Sequence, residues 1–175
     1  MRKSKTSQLA LCALLIAMAL VLSYMERFFP LQMIIPLPGI KLGLANIVTV
    51  MALYFFGEKQ AFTILGLRCV LGSIFGGGIS GLAFSLTGGL LAMTMMSVSR
   101  RLGIFSVYGV SILGAAAHNI GQICVAVFLM GSVYVAGYLP YLLVVSVFTG
   151  MATGGACAGV FRALAASGQI PREND

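Results

Sequence analysis

Apolar residues fill six long stretches of this chain, at about 7 to 25, 42 to 56, 60 to 77, 79 to 98, 109 to 130 and 138 to 161. Most approach the roughly 20 residues that an α-helix needs to cross a bilayer. The breaks are short. Gly57-Glu58-Lys59 parts the second from the third, Gly76-Gly77-Gly78 the third from the fourth, Ser99-Arg100-Arg101 with Gly103 the fourth from the fifth, and Gly131 to Gly137 the last two. The pattern predicts an all-α integral membrane protein with a single domain of six transmembrane helices.

Composition strengthens that reading. Of 175 residues, 59% are hydrophobic and 9% charged, against roughly a quarter charged in soluble domains. Between Thr6 and Phe161 only eight residues are formally charged, too few to solvate a surface of that size, so lipid must be the solvent. The net charge of +7 belongs to chain ends and connections rather than to one periodic face, which argues for membrane topology and against a nucleic-acid partner. Lys and Arg concentrate on the cytoplasmic side of membrane proteins. With the amino terminus inside, Arg2, Lys3, Lys5, Lys59, Arg100, Arg101, Arg162 and Arg172 are cytoplasmic, and only Arg27 and Lys41 lie outside. Both termini are expected in the cytoplasm of a multi-pass protein of the cell membrane, with 162 to 175 as a tail. A secretory signal around Ala17-Met18-Ala19 would be cut within a continuous apolar run, so the first segment is expected to remain as a helix.

One connection is unusual. Residues 26 to 41, ERFFPLQMIIPLPGIK, are too long for a tight turn and too apolar for a free loop, and Pro30, Pro36 and Pro38 forbid continuous helix. They suggest an outer lid over the bundle, or a re-entrant hairpin without a gating role.

Candidate chemistry lies where polar groups interrupt the grease. Arg68 falls well inside the third segment, where an unpaired guanidinium costs at least about 2.5 kcal/mol. It should face the interior, either to anchor an anionic ligand or to pair with carbonyls or Glu26 and fix packing. Ser111, His118 and Gln122 form one stripe at helical spacing with Asn119 on its flank. His118 is expected at nearly the depth of Arg68, so the two could line one cavity, although such residues also serve as hydrogen-bonding pins between helices. Asn46 would contribute near the lid, or would cap the second helix. These positions suggest a pocket for a small anionic or amphipathic molecule, loaded from outside. Small residues mark a second surface: Ala13-xxx-Ala17, Gly150-xxx-Gly154 and Gly155-xxx-Gly159 suit close helix contact, internal or with a partner subunit.

Several activities are disfavoured. The Gly76 to Gly78 run has no following lysine, so no P-loop is present. Asp175 is the sole aspartate, which leaves no acidic cluster for the Mg²⁺ of diphosphate chemistry. Cys12, Cys69, Cys124 and Cys157 stand alone in apolar runs, without metal-ligand spacing. No catalytic residue, cofactor or metal is expected, and the chain is not expected to be an enzyme.

PGIKLGLANIVT (38 to 49), the arginine of LGLRCVLG (65 to 72), GVSILGAAAHNIGQ (109 to 122) and YLP (138 to 140) together resemble the family known as Gx transporter or heptaprenyl diphosphate synthase component I. The likeness covers about residues 9 to 160. That family is similar to the substrate-binding S components of energy-coupling factor (ECF) transporters. The resemblance implies a six-helix bundle that captures a micronutrient from outside, with the connection after the first helix covering the ligand. It also implies that Ala13 and Ala17 dock a transmembrane coupling subunit, and that cytoplasmic ATPases supply the energy. The synthase name implies instead a non-catalytic accessory in isoprenoid or menaquinone biosynthesis.

Overall fold

The computed structural model describes residues 5–28, 41 and 43–167. They form six α-helices: α1 Lys5–Met25, α2 Asn46–Phe56, α3 Glu58–Gly72, α4 Gly78–Leu102, α5 Val107–Met130 and α6 Leu139–Ala166. Short 3₁₀ turns at Glu26–Phe28 and Val133–Tyr138 complete the order, with a wide π turn at Ser73–Gly77. No strand occurs among the described residues.

The helices end where the backbone is freed or capped. At the reversal between α3 and α4, Gly76 has φ +115°, a conformation that a side chain would resist. That the chain doubles back here follows from Arg101, whose Nε donates to Glu58 Oε1 at 2.6 Å; a straight helix would hold residues 43 apart about 65 Å from one another. α5 starts where Ser106 Oγ accepts from Gly109 N at 3.4 Å, a side-chain cap for an open helix end.

Four apolar helical stretches are long enough to cross a membrane: Thr6–Met25, Glu58–Leu102, Val107–Met130 and Val133–Ala166. Large side chains on their outer surfaces confirm the solvent they require, with Ile79 88% and Phe128 83% exposed. Six helices form, but their bounds differ from the expected segments. The second begins at Asn46 rather than 42, because Gly43 to Ala45 make a turn in which Asn46 N donates to Gly43 O at 2.8 Å. At 11 residues, α2 spans only about 16 Å. The fourth runs through Arg100 and Arg101 to Leu102, since Glu58 and the Leu53 carbonyl bind those guanidinium groups. The sixth continues to Ala166, five residues into the expected tail. Most of the expected lid, 29 to 40, lies outside the described residues, as do the ends beyond 5 and 167.

α5 is the central helix, packed along both α4 and α6. Glycine permits the close approach. A β-carbon at Gly150 of α6 would sit 2.4 Å from Ile112 Cα, and one at Gly154 would lie 2.8 Å from Tyr108 Cα. On the other side, a β-carbon at Gly121 would lie 2.8 Å from Gly88 Cα of α4. Gly150-xxx-Gly154 therefore serves internal packing, whereas Gly159 has nothing within 4 Å of its β position. α1 is more peripheral: it packs on α2 and α3, and among the described residues it makes no packing contact with α4.

Candidate functional site

Arg68 sits four residues before the end of α3, level with the start of α2, and is 7% exposed. Its NH2 group donates to Asn46 Oδ1 at 3.2 Å. Its Nε has no hydrogen-bond partner. A buried charged donor without an acceptor is costly, so part of the hydrogen-bonding capacity of Arg68 stays unmet. Asn46 is thereby committed to the arginine; the N-cap position of α2 is Ala45, and no side chain caps that helix. The reading of Asn46 as a cap is corrected accordingly.

Arg68 forms part of the wall of a cleft of about 280 Å³ over α3, with α1 on one flank and the start of α4 on the other. Lys41, Ser85, Ser23 and Tyr24 also supply polar groups to the wall, where Lys41 Nζ donates to Ser85 Oγ at 2.9 Å. Leu20, Val21, Gly72 and Phe75 make the rest chiefly apolar. Glu26, also buried, is just outside this wall. Its Oε1 accepts from Leu44 N, and its carboxyl lies within electrostatic reach of Arg68 and Lys41. Arg68 and Lys41 bring cationic groups to this polar end.

The stripe on α5 lies beside the cleft rather than in its wall. His118, Asn119 and Gln122 are all buried, at 4%, 3% and 0% exposure. Gln122 Oε1 accepts from Lys41 N at 3.3 Å, which turns its amide nitrogen towards His118 Nε2 at 3.0 Å. The histidine therefore accepts at Nε2 and, as a neutral ring, carries its proton on Nδ1. That atom faces the Gly88 backbone without a hydrogen bond of normal geometry, and a β-carbon at Gly88 would approach it to 2.9 Å. Gly43 fills the space between Asn46 and His118, since a β-carbon there would meet their side chains at 3.0 and 3.2 Å. His118 is therefore not in the wall of this cleft, and Gly43 lies between it and Asn46. Asn119 donates to Leu142 O on α6 at 3.0 Å, which pins two helices.

The structure thus gathers Glu26, Asn46, Arg68, His118 and Gln122 around one turn and turns Asn119 towards α6. Sequence reasoning missed Lys41 and Ser85 as cleft residues. Lys41 was legible as a cation next to the Pro38-Gly39 turn, whereas a serine within a helix gives no signal. Ala13 and Ala17 lie on the exposed side of α1. Among the described residues no cluster of His, Cys, Asp or Glu could hold a metal.

The profile of the heptaprenyl diphosphate synthase component I family matches residues 15–160. The chain belongs to that family. The matched span contains every helix from the middle of α1 to most of α6, so the component I family likeness takes in the whole cleft. Comparison with curated proteins and with solved structures gave no match.

Proposed function

We propose that this component I family member is a non-enzymatic membrane subunit that binds a small anionic or amphipathic molecule in the cleft over α3, and that it acts with a partner. The observation that carries the reading is Arg68: 7% exposed, lining the cleft, with Nε unpaired. In an apolar protein, a guanidinium placed there attracts the negative group of a ligand more strongly than it would in water. In the uptake version of this reading, all six helices cross the cell membrane with both termini inside. Ala13 and Ala17 on the exposed side of α1 dock a transmembrane coupling subunit, and cytoplasmic ATPases drive release of the ligand inward.

A second reading is favoured by the family match itself: the chain serves as a membrane accessory of heptaprenyl diphosphate synthesis. The lack of an aspartate-rich cluster supports a non-catalytic part in that assembly. The site geometry supports the binding role common to both readings, and the family name supports the second choice of partner. Gentle copurification separates them. An ATPase pair lost on Ala13→Trp supports uptake; a soluble aspartate-rich prenyl transferase supports the synthase. Anion binding unchanged by Arg68→Gln in a folded preparation refutes the site in either case.

A further inference from the structure

The cleft is not a pore end. Its two flanks, α1 and the start of α4, do not pack on one another among the described residues, and the cleft lies above α3 between them. The residues at that opening have large exposed apolar surfaces: Val21 is 58%, Tyr24 56% and Phe75 69% exposed. The polar end lies deeper, at Arg68, Lys41 and Ser85. The cleft therefore has a cationic end inside and, towards the end of α1 and the Ser73–Gly77 turn, a largely apolar mouth. At about 280 Å³ it is smaller than the usual range for drug-sized ligands, which suits an anionic head and the first carbons of a chain but leaves the remainder outside.

From this the geometry points to a specific ligand class: a single-chain amphiphile with a phosphate or carboxylate head, which enters from the bilayer between α1 and α4 with its head on Arg68 and its tail left among the lipids. The inference rests on the anion-binding reading of Arg68 and adds the tail and the route. A wholly water-soluble anion would have no use for the apolar mouth. A neutral lipid would give the Arg68 guanidinium no counter-charge in the cleft.

The test exploits the absence of tryptophan from the sequence. Phe75→Trp places one fluorophore at the mouth, and the protein is held in phosphatidylcholine nanodiscs. 11,12-Dibromododecyl phosphate is the quenching probe, and ethyl phosphate and unbrominated dodecanoate are competitors. Saturable quenching is expected, weakened about tenfold or more by Arg68→Gln, with ethyl phosphate displacing the probe at least about a hundredfold less well. Gly72→Leu provides a second variant. Its β-carbon has ordinary room, 3.7 Å from Leu20, while its branch enters the cleft. It is expected to weaken the long-chain probe and spare ethyl phosphate. Displacement by dodecanoate assigns a carboxylate head, and its failure a phosphate head. Equal potency of ethyl phosphate overturns the tail and route and leaves the anion site standing. Equal quenching of wild type and Arg68→Gln, or no response to any anion, overturns both.

Discussion

Replacing Gly150 by alanine introduces a β-carbon 2.4 Å from Ile112 Cα and 2.8 Å from its backbone nitrogen. Both neighbours are main-chain atoms of α5 and cannot rotate away, so α6 must retreat by about 1 Å to restore an ordinary contact of 3.4 Å or more. Overpacking of this kind costs about 1–3 kcal/mol. Alanine also favours helix over glycine by up to about 1 kcal/mol, which would mask part of that cost in a single measurement. Gly159→Ala, on the same helix with nothing within 4 Å, gains the propensity term alone. The difference between the two variants isolates the steric term, and Gly150→Ala should be the less stable by about 1–3 kcal/mol. Reversible unfolding in mixed micelles by SDS titration, followed by circular dichroism, measures it. If the two variants unfold within about 0.5 kcal/mol of one another, α5 and α6 do not meet as described. The Asn119 to Leu142 hydrogen bond, eight residues from Gly150, would then lose its basis as well.

Asn46→Asp should keep the fold and place a carboxylate on Arg68, so anion affinity in the cleft should fall about tenfold or more; unaltered binding would contradict the Asn46–Arg68 contact. Hydrogen bonding to Arg101 holds the Glu58 carboxyl below its usual value of 4.5, so the pair contributes stability above that pH and loses it as pH falls through the lowered value. The thermal midpoints of wild type and Glu58→Gln should therefore differ slightly at neutral pH and converge in acid, and a gap that widens on acidification would reverse the argument. In a cysteine-free background on intact cells, an impermeant maleimide should label Ser132→Cys and spare Lys59→Cys. Labelling of Lys59→Cys alone would invert the topology.

The helices were legible because their ends carry strong signals: Gly57-Glu58-Lys59, the Gly76 to Gly78 reversal and Gly103 each interrupt an apolar run. Where the charges bind carbonyl or carboxylate partners, as Arg100 and Arg101 do, the helix runs on past them, and composition alone cannot foresee that. Arg68 and Asn46 stood out as polar groups in grease, and they do meet. The packing of Asn46 beside His118 depends on Gly43, where φ is +81°, a backbone conformation that the apolar pattern leaves unspecified. The cleft was illegible for a different reason: it lies where α1 and α4 do not pack on one another among the described residues, and hydropathy records what is buried, not which helices stay apart.

The short α2 has an electrical consequence. A helix of about 16 Å, roughly half the hydrocarbon thickness, brings the low-dielectric barrier beside Arg68 to a minimum. In the proposed uptake topology, a negative group that leaves Arg68 for the Arg100 end moves towards an interior-negative potential, at up to about 2.3 kcal/mol per charge per 100 mV. In that reading the voltage opposes discharge of the ligand inward, and the coupling partner supplies the work.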